Sequence, residues 1–188
     1  MTPAGSGVKL TYDDFLLFPD DGKRHELIDG EHCVTPAPIL RHQLIVGNLT
    51  FMIRLYLETH PLGRVFGAPF DVILSQFDIV EPDVQYISSE RAHILVDWVR
   101  GAPDLVVEVM SKSTRKRDLT VKRDLYERSG VKEYWFVDGE ANSVRVYRRS
   151  ESTDRFDQPV ELWLDEGDTL TTPLLPGLEL PLAAIFKE

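Results

Sequence analysis

The feature that most constrains this chain is an apolar run with a carboxylate in its middle. Leu105, Val106, Val107, Val109 and Met110 read as a buried strand, and Glu108 interrupts them. A buried carboxylate without a partner is costly, so Glu108 faces a cleft, pairs with a cation or binds a metal. A hydroxyl-rich basic loop follows, then a helical stretch bearing Lys122, then a second apolar run, Tyr134 to Val137. The order is strand, helix, strand, which predicts an α/β fold in which an acid on the first strand and a lysine on the helix both need an explanation.

The 188 residues suit one domain, with 1–10 a flexible tail and 11–188 a single unit. A hydrophobic content of 43% supports a packed core. No run of eighteen apolar residues occurs, so no transmembrane helix is expected, and Met1–Lys9 lacks the apolar centre of a signal peptide. Cys33 is the one cysteine, which excludes an intramolecular disulfide and fits a reducing cytoplasm. The histidines show no zinc-ligand spacing.

The net charge of −10 argues against a protein that coats nucleic acid through a general basic surface. The charge is uneven, however. Lys112, Arg115, Lys116, Arg117, Lys122 and Arg123 are relieved between 112 and 123 by Asp118 alone. A basic rim beside carboxylates would suit a polyanionic substrate handled with a divalent metal; a solvated helix start has the same composition.

Local signals divide the rest. Thr11 with Asp14 three residues on predicts a capped helix to Phe18. Arg24 to Val34 reads as a hairpin turning at Asp29-Gly30. Arg41 to Thr59 carries a broad apolar stripe and reads as a largely buried helix. Strands are expected at Gly63–Gly67, at Phe70–Leu74 and within Asp78–Ile87, with a short helix around His93–Val99. Ser143–Arg148 reads as an edge strand, and Leu162–Leu164 with Leu178–Leu180 as a terminal hairpin.

Asp83 follows Pro82 at the start of a strand, and Glu108 lies in the next regular one. If the strands are neighbours, both carboxylates can point to one side of a sheet. Two hard oxygen donors of this kind suit Mg²⁺ or Mn²⁺. On a helical wheel of ~100° per residue, with Leu119 at zero, Val121, Leu125 and Tyr126 fall at ~200°, ~240° and ~340°. Lys122 falls at ~300°, inside that apolar arc, so its ammonium points toward the sheet and Glu108 is the nearest candidate partner. Snorkelling past the apolar face is the alternative. Gln85 shares the face of Asp83, to line the cleft or to satisfy a backbone group. Ser111, Ser113 and Thr114 can cap the helix or hold a phosphate. Asp104 reads as a turn residue.

Glu81-Pro82-Asp83, the run Pro103 to Thr114, Asp118-Leu119 with Lys122 and Tyr126, and Gly130 to Asp138 together resemble the Uma2 family, of the PD-(D/E)XK superfamily. The resemblance runs from about Thr11 to Phe186. It implies a restriction-endonuclease-like fold: a mixed central sheet flanked by helices, with an N-terminal hairpin extension. It also implies metal-dependent hydrolysis of phosphodiester bonds, with Asp83 and Glu108 as catalytic residues and ligands to Mg²⁺ or Mn²⁺. The superfamily's lysine position is Met110 here, so Lys122 would supply the ammonium from the following helix. Glu26 resembles the family's N-terminal acid, a further catalytic candidate, and His42 would contact a phosphate or a metal-bound water. The resemblance further implies nucleic acid as partner, DNA more than RNA, and a homodimer. A catalytically inactive binding module on the same fold is the alternative, favoured by Met110 and the acidic net charge.

Overall fold

The alternation in Leu105–Val109 sets the architecture. In this computed structural model, which describes residues 8–110, 118–150 and 152–188, that segment is the central strand β8. Leu105, Val107 and Val109 enter one core with Ile45, Leu49 and Ile53 of the long helix α2 (Leu40–Thr59). Val106 and Met110 enter a second core with Leu125 and Tyr126 of helix α3 (Arg123–Ser129). Side chains alternate across a strand, so Glu108 belongs to the second side, under α3.

The elements before β8 are α1 (Tyr12–Phe15), β1 (Arg24–Ile28), β2 (Glu31–Thr35), β3 (Gly63–Gly67), β4 (Val72–Ser75), β5 (Asp78–Val80), β6 (Val84–Ser88) and β7 (Val99–Arg100). After α3 come β9 (Glu133–Asp138), β10 (Ser143–Arg148), β11 (Val160–Trp163), β12 (Thr169–Thr171), β13 (Glu179–Pro181) and α4 (Leu182–Ile185). A six-stranded sheet runs β11-β10-β9-β8-β6-β3 and a five-stranded sheet runs β2-β1-β5-β4-β7. In the larger sheet β8 and β9 are parallel and the other neighbours antiparallel. The parallel pair needs a crossover, which contains α3. The chain is therefore α/β, with a mixed central sheet flanked by helices. The smaller sheet contributes Ile28, Val72, Val80 and Val99 to the core shared with α3. Among the described residues no helix is long and apolar enough to cross a membrane.

Several local expectations hold for their stated reasons. Thr11 and Asp14 form a reciprocal capping box. Asp29 and Gly30 both have positive φ, 52° and 75°, as a tight hairpin turn requires. Others are corrected. Asp78–Ile87 is two strands in different sheets, because the chain breaks at Glu81-Pro82-Asp83 and Pro82 has no N–H to give a ladder. β10 is not an edge, since Val160–Trp163 pairs along its outer side. The terminal hairpin is β12 with β13, not Leu162–Leu164 with Leu178–Leu180. The short helix is a 3₁₀ segment at Ser89–Ile94, earlier than His93–Val99. Helix α2 buries one stripe, and Leu40, Phe51 and Leu55 on its other side are exposed.

Candidate active site

The strand register brings the two expected acids together. β6 pairs with β8 antiparallel, with Val84 opposite Val107. Asp83 immediately precedes β6, so continuing this register by one step sets its backbone beside that of Glu108. The ladder ends there, and the N–H of Val109 donates to Asp83 Oδ2 at 2.8 Å instead of to a backbone carbonyl.

Lys122 closes the site from above. Asp118–Lys122 forms a π-helical turn that leads into α3. Lys122, Leu125 and Tyr126, at i, i+3 and i+4, then share one buried face. Val121 is 45% exposed, against the wheel expectation, because a π turn does not advance by the α-helical angle. Lys122 Nζ donates to Glu108 Oε1 at 2.9 Å and to Glu26 Oε1 at 2.8 Å. The Tyr126 hydroxyl donates to the same Glu108 oxygen at 2.6 Å. Lys122 is 3% exposed, Glu108 5% and Glu26 1%, so this is a buried ion triad rather than a snorkelling lysine.

Strand β1 supplies two members. Glu26 and Arg24, two residues apart, share a face. Glu26 Oε1 also accepts the N–H of Glu81 at 3.1 Å. Arg24 bridges the neighbouring acids, with Nε 2.8 Å from Glu81 Oε1 and a terminal nitrogen donating to Asp83 Oδ1 at 2.8 Å. His42, in the first turn of α2, places Nε2 3.0 Å from Asp83 Oδ2.

These contacts split the acidities. Burial opposes ionisation of Asp83, but the hydrogen bonds and charges of His42 and Arg24 outweigh it and hold the carboxyl below its usual range. Burial pushes Glu81 up to about 7; Arg24 opposes the rise, while Asp71, Glu26 and Asp83 add to it. Asp71 is raised by burial and by Glu26. Burial and the charges of Glu108 and Glu26 push the Tyr126 hydroxyl well up, so it remains a donor.

Asp83, Glu108, Lys122, Glu26 and His42 are thus gathered in one place. Gln85 is not part of it: fully buried, it donates from Nε2 to the Phe70 carbonyl at 2.9 Å. Ser111, Ser113 and Thr114 lie outside the described residues. Arg24, Glu81 and the positioning hydroxyl of Tyr126 are additions to the expected set. The period-two spacing of Arg24 to Glu26 and the i, i+4 spacing of Lys122 to Tyr126 were the available signals. Asp104, read as a turn residue, is fully buried; Lys132 lies 2.7 Å from its Oδ1 and Ser88 N–H donates to its Oδ2 at 2.8 Å.

Among the described residues no three His, Cys, Asp or Glu side chains are gathered as a metal cage. One or two carboxylates suffice for a hard divalent ion that keeps most of its waters, which is how Mg²⁺ is commonly held. The donor chemistry fits, and the guanidinium on Asp83 Oδ1 is what such an ion would meet first.

No curated protein matches the sequence. Among solved structures, the chain is similar to a protein of Anabaena variabilis described as a putative nuclease belonging to DUF820. The TM-score is 0.80 at 19% identity, over 94% of this chain and 97% of that one, which establishes the shared fold. The Uma2 family model, described as "Putative restriction endonuclease", matches residues 12–183. Covering the site strands, the crossover helix and both sheets, that match establishes that the chain belongs to the Uma2 family.

Proposed function

We propose that the chain is a metal-dependent nuclease that hydrolyses phosphodiester bonds of nucleic acid, DNA more than RNA. The observation that carries this reading is the Lys122 ammonium shared between Glu26 and Glu108, with Asp83 just before the strand that pairs with that of Glu108. Asp83 and Glu108 would hold Mg²⁺ or Mn²⁺, which when bound supplies Lewis-acid stabilisation of the phosphate and an activated water. The chain's own groups do the rest. Lys122 sets the orientation of Glu108, and its ammonium charge favours the negative charge that develops on the phosphate. Glu26 holds that ammonium in place, and Tyr126 fixes the Glu108 oxygen. His42 and Arg24 keep Asp83 ionised.

Met110 fits this assignment. It is buried in the core with Val106 and Leu125, so its position offers no polar group to the site, and Lys122 supplies an ammonium from another element. A second reading, an inactive binding module on the same fold, is favoured by the saturation of Asp83 by Arg24, His42 and Val109 N–H, as in a structural ion network.

The test is cleavage of plasmid DNA, single-stranded DNA and RNA with Mg²⁺ or Mn²⁺, comparing wild type with Asp83→Asn, Glu108→Gln and Lys122→Met. Wild type should cut, and each variant should lose on the order of 10²-fold or more. Cleavage unchanged in folded variants would remove the site from the mechanism. A wild type that neither cuts nor binds either metal would favour the binding module.

A further inference from the structure

Asp83 is held from three directions, by a backbone N–H, a ring and the end of a long side chain. Oδ2 accepts a backbone N–H, from Val109 at 2.8 Å, and faces His42 Nε2 at 3.0 Å from a 20-residue helix. The first donor is backbone, and the His42 ring is on a short side chain that is 9% exposed. Oδ1 accepts a terminal nitrogen of Arg24 at 2.8 Å, at the end of a long side chain. An ion that takes Asp83 as a ligand must therefore take it through Oδ1, where the guanidinium already sits.

Arg24 also has somewhere else to rest. Its Nε lies 2.8 Å from Glu81 Oε1, and its side chain is 23% exposed, so it has both a second anion and a path to solvent. An arginine needed solely to bury a charge pair would have neither. We propose that Arg24 is a displaceable counter-ion. It neutralises Asp83 while the site holds no metal, and moves onto Glu81 alone when a divalent cation takes Oδ1, so that Arg24 sets the metal affinity of the site. The inference rests on the reading of Asp83 and Glu108 as metal ligands.

Mn²⁺ binding by calorimetry or by loss of the free-ion EPR signal tests it, with far-ultraviolet dichroism to confirm folding. Arg24→Gln should bind Mn²⁺ roughly tenfold more tightly than wild type, the order expected for removing one charge-assisted competitor. It should also melt at a lower temperature without metal and gain more on adding Mn²⁺. Arg24→Lys keeps the charge but cannot bridge both acids, so it should fall between the two. It also reads the effect if Arg24→Gln does not fold. Lys23→Gln, which removes the adjacent exposed cation paired with Asp21, should leave Mn²⁺ affinity unchanged.

Equal or weaker binding in folded Arg24 variants would overturn the inference while leaving the metal reading intact. A gain in Lys23→Gln as large as that in Arg24→Gln would overturn it too, because bulk charge would then suffice. No Mn²⁺ bound by wild type or by either Arg24 variant would instead overturn the metal reading, and the inference with it.

Discussion

Lys122→Met is the substitution whose energetics the structure fixes most closely. It keeps the length and apolar stem of the side chain and removes the ammonium. At 2.8 Å and 2.9 Å from two carboxylate oxygens, each attraction is about 6 kcal/mol in an effective dielectric of about 20. Desolvation of the buried ions opposes this by several kcal/mol each, which leaves breaking such a pair at about 3–5 kcal/mol. An exposed lysine would cost less than about 1 kcal/mol. The two pictures therefore differ by more than the error of a urea titration. Lys122→Met should be less stable by about 3–5 kcal/mol at pH 8 with an unchanged m-value. Adding Glu108→Gln should recover part of the loss, because the remaining network then carries one fewer negative charge. A cost below about 1 kcal/mol at pH 8 would refute the buried triad and return Lys122 to the surface.

Tyr126→Phe removes a buried donor from Glu108 and should cost about 1–2 kcal/mol in the same urea titration. If cleavage is confirmed, its kcat should fall with little change in KM, since Tyr126 acts by holding the Glu108 carboxylate. Glu81 has the opposite sign from an ordinary ion-paired acid. Its carboxyl is raised from 4.5 to about 7, so the folded state holds the proton more tightly, and its contribution to stability is lost as pH rises from 4.5 through 7. Screening at the site reduces the effect to about 1–2 kcal/mol, and Glu81→Gln should flatten that decline in melting temperature against pH. Asp104→Asn should cost about 2–3 kcal/mol by denaturant unfolding, because Lys132 and Arg91 lose a buried anion.

Much of the site was legible because its elements obey simple periods. Glu108 stands out of an apolar run, and the structure puts it in the buried strand that run predicts. Lys122 falls on the buried side of its helix, and the strands that Asp83 and Glu108 belong to or adjoin are neighbours as expected. Val121 went astray because the wheel assumes one angular step, and the π turn breaks that step over the first five residues. Asp104 looked like punctuation after Pro103, because burial of a turn acid depends on Arg91 and Lys132, which no local pattern connects to it. Arg24 was missed for the same reason: its partners Glu81 and Asp83 are far along the chain, and only the pairing of β1 with β5 brings them near.

The break between β5 and β6 shows why this site stands at a seam. Leu27 pairs with Ile79 in the smaller sheet, whereas Val84 pairs with Val107 in the larger. The three residues between must leave one ladder and join the other, and Pro82 has no N–H for either. Side chains take over the missing backbone partners. Glu26 accepts the Glu81 N–H, and Asp83 accepts the Val109 N–H. Asp83, which would hold a metal, is thus also a structural acceptor, and this decides how the site must be probed. Asp83→Ala should lose the Val109 hydrogen bond together with the charge, and lower stability as well as any activity. Asp83→Asn retains an oxygen for Val109 and removes the charge, so it should be less destabilised than Asp83→Ala while losing metal affinity. If Asp83→Asn unfolds as readily as Asp83→Ala, the carboxylate is held for its charge against Arg24 and His42, and the Val109 bond contributes little to closing the seam.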